Sequence, residues 1–140
     1  MPRLFRALVA AAALVACPAC AEFVVVVNPK NPVSSLTARQ VAQIYLGRVG
    51  SFAGGGQATP IDLPEGTPLR DEFYAKVAEK NAGQVKAYWS KQLFSGNGTP
   101  PREVASVAEV KRAVAGDATA IGYIDRAALD ASVKEIFSVR

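Results

Sequence analysis

The sequence predicts an α/β domain: a mixed, mostly parallel sheet with helices on both faces, giving three α/β/α layers. Three observations carry that expectation. Short β-branched or apolar runs alternate along the chain with segments of helical periodicity. Most helical segments carry a start or stop signal of their own. The stretch Ile61-Asp62-Leu63-Pro64-Glu65-Gly66-Thr67-Pro68-Leu69-Arg70 reads as strand, glycine turn and helix start. Sheets of this class bind ligands in such places, at strand carboxyl ends beside helix N-termini.

Phe23 to Val27 is an unbroken β-branched run, suited to a strand buried on both faces. Asn28-Pro29-Lys30-Asn31-Pro32 ends it, because neither proline supports regular pairing. A helix then opens at Thr37, which forms a capping box with Gln40 while Leu36 staples onto Val41. Val41, Ile44 and Tyr45 make its inner stripe, and Gly47 stops it. The loop Gly50 to Thr59 contains Gly54-Gly55-Gly56, but no P-loop Lys-Ser/Thr and no helix start follow, which argues against a phosphate cradle.

Pro60 to Leu63 is the second strand. The next helix runs from Pro68 to Lys80, with Thr67 as N-cap and Leu69, Phe73 and Val77 pointing inward. Asn81-Ala82-Gly83 breaks the chain, and a helix over Gln84 to Phe94 turns Val85, Tyr88, Trp89 and Leu93 inward. The Tyr88-Trp89 pair reads as core rather than as a ligand platform. After a loop from Ser95 to Pro101, Ser106 and Glu109 make another capping box. Val107, Val110 and Val114 are the stripe of its short helix, which Gly116 stops. Ala120 to Ile124 is a strand whose Gly122 implies close backbone approach, Asp125 caps a helical turn, and Ser132 to Phe137 is the last strand.

The first residues have the pattern of an export signal. Arg3 and Arg6 precede the apolar run Ala7 to Ala16, which is too short to span a bilayer. Ala19-Cys20-Ala21 fits the small-x-small cleavage rule, which makes residues 1–21 a signal peptide and 22–140 a single domain. Leu14-Val15-Ala16-Cys17 also resembles a lipobox, whose cleavage would leave a lipoprotein anchored at Cys17. Both cysteines lie in this segment, so an internal disulfide is not expected. Either route places the protein outside the cytoplasm, periplasmic or secreted, and no second apolar span suggests a transmembrane helix.

Composition excludes several functions. There is no histidine, hence no His-based triad, His general base or His metal ligand. Without a cysteine cluster a zinc site has no ligand set, and the acids show no spaced catalytic pair. No catalytic residue, metal or cofactor is expected, and the chain is not read as an enzyme. Without Arg3 and Arg6 the 16 basic residues fall to 14 against 12 acidic ones, about +2, and the charges are interspersed. That is a solvated surface, not a nucleic-acid patch.

Taken in order, several motifs match one family. They are Val27 to Thr37 (Val-Asn-Pro-Lys-Asn-Pro-Val-Ser-Ser-Leu-Thr), Gln43 to Arg48, Leu63 to Arg70 with Phe73, Trp89 with Phe94-Ser95-Gly96, and Ala120 to Ile124. The chain resembles the phosphate-type periplasmic solute-binding proteins of ABC transporters, which have the type 2 binding-protein fold. In particular it looks like their short, stand-alone members. Full-length members clamp an anion between two lobes, and this chain resembles one lobe. The resemblance implies a solute-binding domain that takes phosphate or another small oxyanion, with Gly66, Thr67, Arg70, Ser34 and Ser35 as ligand-binding residues. It also implies an ABC transporter or membrane sensor as protein partner, and a homodimer as one way to complete the cleft.

The family's anion loop reads Arg, three residues, then Ser-Gly-Thr. Counted back from Gly66 and Thr67, the serine position holds Glu65 and the arginine position Ile61. A carboxylate there repels phosphate, by about 4 kcal/mol for one like-charge pair at ~4 Å and an effective dielectric of ~20. Two readings therefore remain. One is oxyanion binding at the 64–70 turn. The other is an interaction or sensory accessory protein that keeps the fold without the ligand, Glu65 then serving only to stabilise the helix start.

Overall fold

The computed structural model describes residues 22–139. The signal-peptide, lipobox and cysteine expectations lie outside them. In chain order the elements are β1 (Phe23–Val27), α1 (Ala38–Tyr45), β2 (Thr59–Asp62), α2 (Pro68–Ala78), α3 (Ala82–Phe94), β3 (Arg102–Glu103), α4 (Val107–Gly116), β4 (Ala120–Asp125) and β5 (Lys134–Ser138), with a single 3-10 turn at Arg126–Ala128 between the last two strands.

The five strands form one sheet in the order β3-β2-β4-β1-β5. β2 runs parallel to β3 and β4, whereas β1 is antiparallel to both β4 and β5. Four strands thus share a direction and β1 alone opposes them, the mixed, mostly parallel arrangement expected. All five residues of β1 are fully buried, as a β-branched run without polar alternation demands.

Side-chain alternation assigns the two faces. On β4, Gly122 faces α4, where a Cβ would come within 2.5 Å of Val110 Cγ1 and 3.1 Å of Val114 Cγ2. The approach at Gly122 is thus by the valine side chains of α4 rather than by the backbone expected from the glycine. Its neighbour Tyr123 points to the opposite face and stacks on Phe73 of α2, centroids 4.0 Å apart. Tyr45 of α1 meets Phe73 edge-on at 4.6 Å, and Phe23 does so at 5.6 Å. This aromatic cluster joins α1, α2 and the sheet, each pair adding about 0.5–1.5 kcal/mol beyond its area burial. Helices thus cover both faces.

Most helix starts follow local chemistry. Thr37 and Gln40 form the full capping box. Ser106 Oγ accepts from Glu109 N–H at 3.3 Å, but the Glu109 carboxylate takes the N–H of Ala105 rather than that of Ser106. The break expected at Asn81-Ala82-Gly83 is instead a helix start: Asn81 and Gln84 cap each other, so α3 begins at Ala82, two residues early. α2 ends at Ala78, where Glu79 turns left-handed (φ 54°). Leu93, expected inward, is 56% exposed, because only Val85 and Trp89 of α3 are buried. Asp125 makes no side-chain cap. β5 starts at Lys134 rather than Ser132, whose N–H and hydroxyl both bond Asp130. β3 extends the sheet after the Ser95–Pro101 loop.

Asn28 does more than end β1. Its amide donates to Val114 O and Ala115 O, both at 3.0 Å, while its Oδ1 accepts from Lys30 N–H. It thereby ties the end of β1 to the carboxyl end of α4.

Candidate functional site

β2 delivers the chain to the Pro64–Thr67 turn at its carboxyl end, and α2 leaves from there. Thr67 N–H donates to Pro64 O at 3.2 Å, closing the turn. Gly66 adopts φ 90°, a conformation that glycine reaches without steric cost. Thr67 has the extended backbone of an N-cap and Pro68 follows at the first helical position, as expected. The Thr67 side chain departs from expectation. Its hydroxyl makes no cap and donates instead to Pro64 O at 2.7 Å, because the turn brings that carbonyl within reach.

Asp62, the last residue of β2, is only 4% exposed and dominates the local electrostatics. Its carboxylate accepts from Leu63 N–H at 2.8 Å, from the Tyr74 hydroxyl at 2.6 Å and from the Tyr123 hydroxyl. Arg70 Nε stands 3.5 Å from Asp62 Oδ1, an ion pair without hydrogen-bond geometry. The guanidinium also lies over the Tyr74 ring, 5.4 Å from its centroid. Burial works against the Arg70 charge, but Asp62 together with Tyr74, Tyr123 and Glu103 outweighs it and raises the guanidinium pKa above its ordinary value. Burial, then the Asp62 charge, raises the phenols of Tyr74, Tyr123 and Tyr45 well above theirs. Tyr45 donates to Ile61 O at 2.8 Å and Ile121 O at 3.1 Å, bracing β2 against β4.

A groove of about 200 Å³ runs beside the turn, with Glu65, Arg70, Lys86, Trp89 and Leu93 among its lining residues. Glu65 and Lys86 face each other there at 3.9 Å, both largely exposed. The expected site residues fall into two groups. Gly66, Thr67 and Arg70 gather at the turn and the start of α2. Ser34 and Ser35 are exposed and lie just before Leu36, whose N–H donates to Ile136 O on β5. β4 and β1 separate β5 from β2, about 14 Å at the usual strand spacing, so the serines and the turn stand apart.

Asp62, Tyr74 and Tyr123 did not stand out in the sequence as site residues. The available signal was an acid placed between Ile61 and Leu63 at the end of an apolar strand. An acid in that setting requires partners. No described helix is long and apolar enough to cross a membrane.

No family model and no curated protein matches the sequence. Solved structures do match its fold. A phosphate ABC transporter substrate-binding protein from Clostridium perfringens, solved with bound phosphate, superposes with a TM-score of 0.67 at 24% identity over 83% of this chain and 45% of its own. An ABC-type phosphate transport receptor from Vibrio cholerae gives 0.65 at 21% identity, over 83% of this chain and 46% of its own. PstS from Borrelia burgdorferi gives 0.64 at 13% identity, over 83% and 47%. The chain therefore has the fold of part of a phosphate substrate-binding protein and spans less than half the length of these neighbours.

Proposed function

We propose that this chain is an exported solute-binding domain, not an enzyme, that takes a small oxyanion such as phosphate at the 64–70 turn once a second surface closes over it. The observation that carries this reading is the placement of the turn. It sits at the carboxyl end of β2 and leads into α2, whose first backbone N–H groups are free of intrahelical partners and favour an anion. The fold shared with phosphate-binding proteins supports the choice of ligand. Gly66, Thr67 and Arg70 are its proposed contacts, and Ser34 and Ser35 would belong to a separate contact surface. Because the chain spans less than half of its neighbours, the facing wall would come from outside the residues described here. A second copy of this chain, an ABC transporter subunit or a membrane sensor are the candidates.

Thermal denaturation of the chain with and without millimolar phosphate or sulfate tests the reading. A ligand at 100 times its dissociation constant adds about 2.7 kcal/mol, a shift of several degrees. Glu65→Ser, which removes the carboxylate from the turn, should enlarge the shift. No shift in either protein, with Trp89 fluorescence unchanged, would sink oxyanion binding by the isolated domain.

A second reading has its own observation. Arg70 and Lys86 each already have a carboxylate partner, in Asp62 and Glu65. A lobe so neutralised suits an interaction or sensory accessory protein that retains the fold without a ligand.

A further inference from the structure

We infer that Asp62 is a built-in occupant of the anion position beside Arg70, and that it sets what the groove admits by holding the guanidinium from inside. The inference rests on the oxyanion reading of the 64–70 turn and names how that site is controlled. A backbone amide (Leu63) and two phenol hydroxyls (Tyr74 and Tyr123) donate to the Asp62 carboxylate, and the Arg70 guanidinium stands beside it as a charge partner at 3.5 Å. That set of groups suits a small oxyanion. Here it is occupied by a carboxylate that belongs to the chain, almost fully buried.

The charges around the groove agree. Arg70 lines it with a side chain that is 15% exposed, so it is not sealed inside the core. Its charge is matched by Asp62 at 3.5 Å, and that of Lys86 by Glu65 at 3.9 Å. The two cations leave no surplus for a dianion. An incoming phosphate must compete with Asp62 for Arg70 while standing close to the like charge of that carboxylate. Glu65 is an exposed neighbour that can swing away. Asp62 is fixed by three hydrogen bonds and cannot. The internal carboxylate is therefore the stronger restraint, although Glu65 occupies the turn itself.

Isothermal titration and thermal denaturation with inorganic phosphate, and with sulfate at matched ionic strength, would compare the wild type, Asp62→Asn and Asp62→Asn/Arg70→Gln. Asp62→Asn keeps the shape and removes the charge. It is expected to bind phosphate about tenfold or more tightly than the wild type, equivalent to about 1.4 kcal/mol, and the double variant is expected to lose the gain. Asp62→Asn binding no better than the wild type, or a gain that survives Arg70→Gln, overturns the inference. Wild-type binding that Asp62→Asn does not strengthen overturns it while leaving the oxyanion reading in place. A gain seen only in Asp62→Asn supports it and removes that reading from the native chain. Binding by neither protein removes both. Should Asp62→Asn fail to fold, the wild type decides through its Arg70 Nε–H resonance. That signal stays in place through millimolar phosphate if Asp62 holds the guanidinium, and its displacement by phosphate overturns the inference.

Discussion

Raising the pH through the tyrosine range should unfold this domain from the Asp62 cluster outward. Tyr45, Tyr74 and Tyr123 are 0%, 2% and 0% exposed, and burial followed by the Asp62 charge raises all three phenols. In the unfolded chain they ionise near pH 10. Above that pH the unfolded state sheds protons that the folded state retains, so unfolding becomes more favourable as pH rises. The stabilisation from these groups is complete below about pH 10 and declines above it. Each tyrosine contributes about 1.4 kcal/mol per pH unit to the decline, and three contribute about 4. Two pH units would remove about 8 kcal/mol, as much as a whole domain of this size commonly has. Urea denaturation at a series of pH values, followed by Trp89 fluorescence and far-UV circular dichroism, measures the slope. Tyr74→Phe and Tyr123→Phe each lose a hydrogen bond to Asp62 and shift the baseline. The decisive quantity is the slope, which should fall by about 1.4 kcal/mol per pH unit in each variant. Stability that stays flat to about pH 11.5, or a slope unchanged in both variants, would refute the reasoning.

Two further perturbations probe how α4 is fastened to the sheet. Gly122→Ala puts a methyl against Val110 Cγ1 and should destabilise the domain by about 1–3 kcal/mol, read as a lowered urea midpoint; Val110→Ala in the same chain should restore part of the loss. Asn28→Ala strands the last carbonyls of α4 and should cost about 1–3 kcal/mol, with amide exchange in α4 rising before that in α1.

What the sequence revealed and what it hid divide along physical lines. Thr37 with Gln40 was legible because a capping box lies within four residues. The valine stripe of α4 was legible because its period is that of the helix. Asn81 followed the same chemistry with Gln84, but Gly83 in the first turn masked it as a break. β3 is two residues long and carries no periodicity to read. The direction of β1 depends on partners at the far end of the chain, and nothing in five consecutive β-branched residues encodes it. At the site the turn, Gly66 and Pro68 were visible because turn chemistry is local. The Thr67 hydroxyl chose Pro64 O over its own helix, a competition between two nearby acceptors and donors that residue type alone does not decide. The hold of Asp62 on Arg70, Tyr74 and Tyr123 spans up to 61 residues and appears only once β2 and β4 are side by side.

The position of β1 has a consequence for how the domain can come into being. It is the earliest of the described strands, yet both of its neighbours in the sheet, β4 and β5, are the latest of them. Until they are available, Phe23–Val27 is a wholly apolar segment with two open edges, the kind of stretch that recruits other chains. An amino-terminal portion that stops short of Ala120 supplies neither strand that pairs with it. Pairing β1 therefore relies on contacts between distant parts of the sequence, the kind that slow folding.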